Sequence, residues 1–138
     1  MIMKNSTVKT YFLVADFSIS TDEVSKILCL KPSDCANKAE IKNNQIGEPF
    51  KVINSYWELS LSTDTDPDLE NYIINLIDIL KERSSNINNL QKIAPNSELN
   101  IMLNVTIKPN CSFPGLLLSP KHMKFLVEHN INLVIDFM

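Results

Sequence analysis

Between Val8 and Ile19 the chain is rich in β-branched and aromatic residues, with Tyr11, Leu13, Ala15, Phe17 and Ile19 on one side and Phe12 and Val14 on the other. That pattern predicts a strand buried on both faces for part of its length. Ser20-Thr21-Asp22-Glu23 has the spacing of a capping box, and Val24, Ile27 and Leu28 then recur at helical steps until Pro32 forbids continuation. A short helix therefore follows the first strand. From Ser33 to Phe50 the pattern dissolves into Asn, Lys and Gln around Gly47, which predicts a long polar loop with one short strand near Ala39 to Ile41. Strict alternation resumes from Val52 to Ser62, with Trp57, Leu59 and Leu61 pointing one way and Tyr56, Glu58 and Ser60 the other, as in a half-buried strand.

Asp66 followed by Pro67 reads as a helix cap with proline at the first helical position, and Leu69, Ile73, Leu76, Ile77 and Leu80 form an apolar stripe behind it. That helix is expected to end near Arg83 to Ser85 and to give way to a linker through Pro95. Leu99, Ile101, Leu103, Val105 and Ile107 alternate with Glu98, Asn100, Met102, Asn104 and Thr106, the pattern of a strand with one dry and one wet face. Leu116 to Leu118 suggests a short strand. Ser119-Pro120 then opens a helix carrying Met123, Leu126 and Val127, with Asn130 as C-cap, and Ile131 to Phe137 closes the chain as a strand. The order predicts one α+β domain over residues 1–138, with a mostly antiparallel sheet and about three helices on one face. Ferredoxin-like or split βαβ elements are expected within it. The polar positions between Leu99 and Ile107 leave the other sheet face open.

Composition narrows the function classes. Thirteen Lys and Arg against sixteen Asp and Glu give the 138 residues a net charge of -3, so no basic footprint for a phosphate backbone is present and nucleic acid is not an expected partner. No apolar run approaches the roughly 20 residues that span a bilayer, and the first ten residues do not read as a secretory signal. A cytoplasmic protein with no membrane partner is expected. The three cysteines form no CxxC pair, which argues against a disulfide framework and a zinc site; Cys29 is expected in the core and Cys35 and Cys111 in loops, all as thiols. His122 and His129 read as solvated helix surface, two turns apart and too distant to share one metal. Asp64, Asp66, Asp68 and Glu70 alternate like a calcium loop, yet Leu69 and Asn75 stand where an EF-hand needs Gly and Glu. The absence of a catalytic motif predicts a non-enzymatic protein without a cofactor.

Charge distribution says more. Six acidic residues (Glu58, Asp64, Asp66, Asp68, Glu70 and Asp78) and no basic one lie between Lys51 and Lys81. Such a segment steers basic partners. On the open sheet face, Tyr56 and Glu58 together with Ser60, Asn100, Met102 and Asn104 would make a mixed polar platform with an aromatic anchor.

Asp22-Glu23-Val24 to Leu28 with Leu30-Lys31-Pro32-Ser33, then Tyr56-Trp57, then Asp68-Leu69-Glu70 opening a long helix, then a closing strand from Leu133 to Asp136, resembles the bacterial domain of unknown function 4279. The resemblance runs from about Val8 to Phe137 and supplies no catalytic set. It implies an immunity or antitoxin-like role. The expected function is thus a protein-binding domain, an immunity protein that occludes the active site of a basic toxin, with Asp64, Asp66, Asp68, Glu70, Tyr56 and Glu58 at the interface. The alternative is a small-molecule-binding domain or weak enzyme using the cleft beside residues 33–50. Monomer and homodimer, the latter through the edge strand Ile131 to Phe137, are both open.

Overall fold

A computed structural model describes residues 6–61, 69–107 and 115–137 of the chain. The first strand, β1 (Ser6–Ala15), buries Val8, Thr10, Phe12 and Val14 on one side. Tyr11, Leu13 and Ala15 are only half-buried on the other, so the strand has one core face rather than the doubly buried stretch its composition suggests. Phe17 and Ile19 lie beyond its end, where Asp16 turns the chain at φ 59°. Ser20 caps α1 (Thr21–Leu28) by accepting from the Glu23 N–H at 3.2 Å, as the capping-box spacing predicts. Cys29 ends the helix in the left-handed region at φ 53°, with its thiol exposed. Its apolar context predicts a core position, but Cys29 leaves the helical spiral as the left-handed C-cap and so falls off the buried stripe of Val24 and Leu28.

The segment expected as a long loop with one short strand near Ala39 to Ile41 contains three short strands: β2 (Asp34–Ala36), β3 (Ile41–Asn43) and β4 (Pro49–Lys51). Cys35 accordingly sits on a strand, opposite Trp57. β5 (Tyr56–Ser60) follows, then α2 (Leu69–Lys81), whose Ile73, Leu76, Ile77 and Leu80 are fully buried. The expected cap at Asp66-Pro67 and the loop cysteine Cys111 lie outside the described residues. What reads as a linker is a further helix, α3 (Ser84–Ile93), which buries Ile87 and Leu90 at a three-residue spacing. Asn86 ties it to α1 by donating to the Ile27 carbonyl at 3.0 Å. The described helices therefore number four rather than three.

β6 (Glu98–Ile107), α4 (Pro120–Glu128) and β7 (Ile131–Phe137) complete the chain. Leu116 and Leu118 pack on the core without forming a strand. Pro120 opens α4 behind the cap Ser119, but Phe125 and Leu126 are the buried pair while Met123 and Val127 are exposed. His129 caps that helix, and Asn130 makes the turn into β7 at φ 51°. His129 is not surface. Only 8% of it is exposed, and its ring lies 4.6 Å from that of Phe125.

The main sheet runs β2-β5-β1-β6-β7, antiparallel except for the β6–β7 pair, and β3 and β4 form a separate two-stranded ribbon. Because β1 is antiparallel to both β5 and β6, the unit β5–α2–α3–β6 is a βαβ crossover split by β1. Trp57, Phe12, Leu99, Ile101, Leu103 and the buried faces of all four helices share one cluster. Burial on this scale stabilises by roughly 1.5–3 kcal/mol for each large side chain. The opposite sheet face carries no described helix. Among the described residues, no helix is long and apolar enough to cross a membrane.

Candidate functional site on the open sheet face

Strand register decides which side chains share the open face. Glu58 stands opposite Leu13 on one side and Asp34 on the other; Tyr11 stands between Ser60 and Met102; Leu13 faces Asn100; Lys9 faces Asn104. The alternation of β5 and β6 thus brings Tyr56, Glu58, Ser60, Asn100, Met102 and Asn104 onto one surface, joined by Tyr11, Leu13 and Lys9 from the strand between them. Lys9 Nζ lies 4.9 Å from the Tyr11 ring centroid. Asn132 on β7 extends the surface by donating to Asn100 Oδ1 at 3.0 Å and to Glu98 Oε1 at 3.3 Å.

At the β2 edge the surface gains a charged cluster. Lys42, on the ribbon, donates to Asp34 Oδ1 at 2.6 Å and to the Tyr56 hydroxyl at 3.1 Å, and Tyr56 donates in turn to Asp34 Oδ2 at 3.1 Å. The ammonium also sits 5.3 Å from the Tyr56 ring centroid. Burial disfavours the Asp34 carboxylate, but the hydrogen bonds from Lys42 and Tyr56 outweigh it and hold its pKa below the ordinary aspartate value. The Asp34 hydrogen bond holds Lys42 protonated, with its pKa raised. Burial raises the pKa of Tyr56.

Glu58 differs from its neighbours. Burial pushes its pKa up, and the Asp34 charge adds to that effect while Lys9 and Lys42 oppose it. Among the described residues its carboxylate takes part in no hydrogen bond and no ion pair. A half-buried carboxylate facing a second carboxylate across the sheet, with neither Lys9 nor Lys42 in an ion pair with it, can accept a cation or a hydrogen-bond donor from outside.

Asp64, Asp66 and Asp68 lie outside the described residues. Glu70 belongs to the helical layer, where its Oε1 accepts from the Leu117 N–H at 3.0 Å. Asp34 and Lys42, which the sequence reading passed over, are separated by eight positions in an Asn- and Lys-rich stretch and meet only through the ribbon. Among the described residues, no cluster of three His, Cys, Asp or Glu could hold a metal ion.

Two grooves flank the end of the sheet where β1 stops and β6 starts. One, of about 330 Å³, lies beside the 33–50 segment among Asp16, Phe17, Lys38, Asn54, Ser55 and Asn96. The other, of about 510 Å³, includes Gln91, Asn96, Glu98, Asn130 and Asn132.

A family model described as "Domain of unknown function (DUF4279)" matches residues 6–138. No curated protein and no solved structure matches the chain.

Proposed function

The chain belongs to that domain family, whose description assigns no activity, and we propose from the open face that it is a non-enzymatic, cytoplasmic docking domain for a basic protein. The observation that carries the reading is the unpaired, half-buried Glu58 carboxylate, on the strand next to the β2 edge of a sheet face that no described helix covers. A partner's guanidinium or ammonium group placed there would supply the counter-charge the fold omits. Charge-assisted hydrogen bonds of that kind contribute about 1.5–3 kcal/mol. Tyr11, Tyr56, Leu13 and Met102 would supply apolar contact around it, with the half-buried Asn104 as a polar neighbour.

Within that class, the finer reading is an immunity protein that occludes the basic active-site surface of a toxin. The acidic run Asp64, Asp66, Asp68 would act in this reading as a steering charge for association rather than as part of the platform. The groove beside residues 33–50 favours a second reading, a polar small molecule held among Asp16, Lys38, Asn54 and Asn96.

The test is capture from the source organism's lysate with tagged wild type, Glu58→Lys and the double variant Asp66→Lys/Asp68→Lys, at about 50 mM and about 500 mM salt. The expected result is a basic protein retained by wild type at low salt, lost with Glu58→Lys, and bound more slowly by the double variant. Equal retention by wild type and Glu58→Lys would remove the open face from the binding reaction. Recovery of the bait alone, with a thermal shift on addition of small metabolites that Asn54→Ala abolishes, would favour the groove.

A further inference from the structure

The β3–β4 ribbon is complete in itself. Asn44 N–H donates to the Glu48 carbonyl at 2.8 Å, Gly47 N–H to the Asn44 carbonyl at 3.0 Å, and Asn44 Oδ1 accepts from the Ile46 and Glu48 N–H groups at 3.1 and 2.9 Å. Gly47, at φ 83°, supplies the left-handed residue that the turn requires. At the stem, Ala39 N–H donates to the Val52 carbonyl and Val52 N–H donates to the Glu40 carbonyl, so two residues of one side oppose one of the other. Val52 is buried at this base, and Lys38 N–H donates to the buried Ser55 hydroxyl at 2.9 Å.

Above the base the ribbon has little to lean on. β3 and β4 pair with each other and touch no other element to a comparable extent. Ile41, Ile46 and Phe50 are 64%, 78% and 44% exposed, so none anchors the ribbon in the core. An isolated two-stranded ribbon is marginally stable in water. What reaches from it to the main sheet is the Lys42 side chain, which bonds Asp34 on β2 and Tyr56 on β5 and lies across the Tyr56 ring.

We propose that the β3–β4 ribbon is a flap hinged at Ala39 and Val52, that Lys42 is its latch, and that release of Lys42 swings the ribbon off Tyr56 and uncovers the β2–β5 end of the open sheet face. The hinge falls where the backbone is already unusual, because Ala39 adopts φ 71° without being glycine. Lys42 is bonded to Asp34, and Glu58 stands directly across the sheet from that carboxylate, so a competing cation brought to the two carboxylates also loosens Lys42. The device exists in the free protein and does not depend on the identity of any partner.

Amide hydrogen exchange read by mass spectrometry on the full chain tests the proposal, with peptides covering residues 41–51 and residues 98–107 compared in wild type, Lys42→Met and Lys42→Arg. The latch is partly solvated, with the Lys42 and Asp34 side chains 26% and 48% exposed, so its loss should speed exchange in the ribbon by about fivefold. Exchange in residues 98–107 should stay unchanged, and Lys42→Arg, which preserves the charge and the donors, should restore most of the protection. Ribbon exchange equal in wild type and Lys42→Met would overturn the proposal. So would a rise shared by residues 98–107, because Lys42 would then be stabilising the whole fold and not one movable part of it.

Discussion

The indole of Trp57 is fully buried and donates its N–H to Ser25 Oγ at 2.9 Å, with the ring edge-on to Phe12 at 6.3 Å between centroids. Replacing Ser25 by Ala leaves that donor without a partner in an apolar setting, which costs about 1–3 kcal/mol. Ser25 itself is only half-buried, and alanine is the better helix former by a few tenths of a kcal/mol, so the net loss should fall near 1 kcal/mol. Trp57→Phe removes the donor together with part of the ring. A space of about 40 Å³ at 24 cal/mol per Å³, added to the lost transfer energy, gives about 2 kcal/mol. Once the donor is gone, Ser25→Ala should cost nothing further. The double-mutant cycle should therefore show a coupling of about 1 kcal/mol. Urea unfolding followed by far-ultraviolet circular dichroism measures all four proteins without relying on the tryptophan. The same cost for Ser25→Ala in both backgrounds would refute the hydrogen bond as the link between α1 and β5.

Glu58→Gln should stabilise the protein at pH 7 by about 0.5 kcal/mol, because it removes a like charge directly across the sheet from Asp34. The pKa of Glu58 is raised in the fold, so its ionisation weighs on the folded state as the pH climbs above the ordinary glutamate value of about 4.3. The gain from Gln should therefore be absent near pH 3 and full at neutral pH, and a gain of equal size at both would contradict the assignment. Asp34 runs the other way. Its lowered pKa contributes stability above the ordinary aspartate range that is lost as acid protonates it, so Asp34→Asn should cost about 0.5–1 kcal/mol at pH 7 and nothing in strong acid. Urea midpoints across that pH range check both. Cys29→Gly should raise the melting temperature by about 3 °C, since it relieves a left-handed residue whose side chain is exposed; an unchanged or lower value would mean that the contact from Asn86 to the thiol matters more.

The main strands were legible because each buries one face and alternates. Trp57, Leu59 and Leu61 separate from Tyr56, Glu58 and Ser60 by period alone, and so do the two sets on β6. Helix α3 was hidden by composition: three asparagines and two serines lower its intrinsic propensity, and its burial rests on Ile87 and Leu90, a pair too short to impose a period. β2 is three residues long and exists because β5 pairs with it, which is information from 22 positions away for Asp34 and Tyr56. For the same reason the sequence offered Tyr56 and Glu58 but neither Asp34 nor Lys42, since nothing local marks a contact made across a ribbon and a sheet. The acidic run stands out by its count alone, and Glu70, one of its two members on α2, holds a loop through the Leu117 N–H.

The central position of β1 has a further consequence for how the chain acquires its shape. All ten of its residues pair with β6, whose partners lie about 80 to 100 positions further along, while β5 meets only its second half. A ribosome releases the first strand long before it makes the strand that flanks it most fully. Until then the apolar side of β1 has no complete sheet to join. Assembly is consequently governed by late, distant encounters, which places this domain among the slower folders for its size and makes the nascent N-terminal half the part most exposed to aggregation.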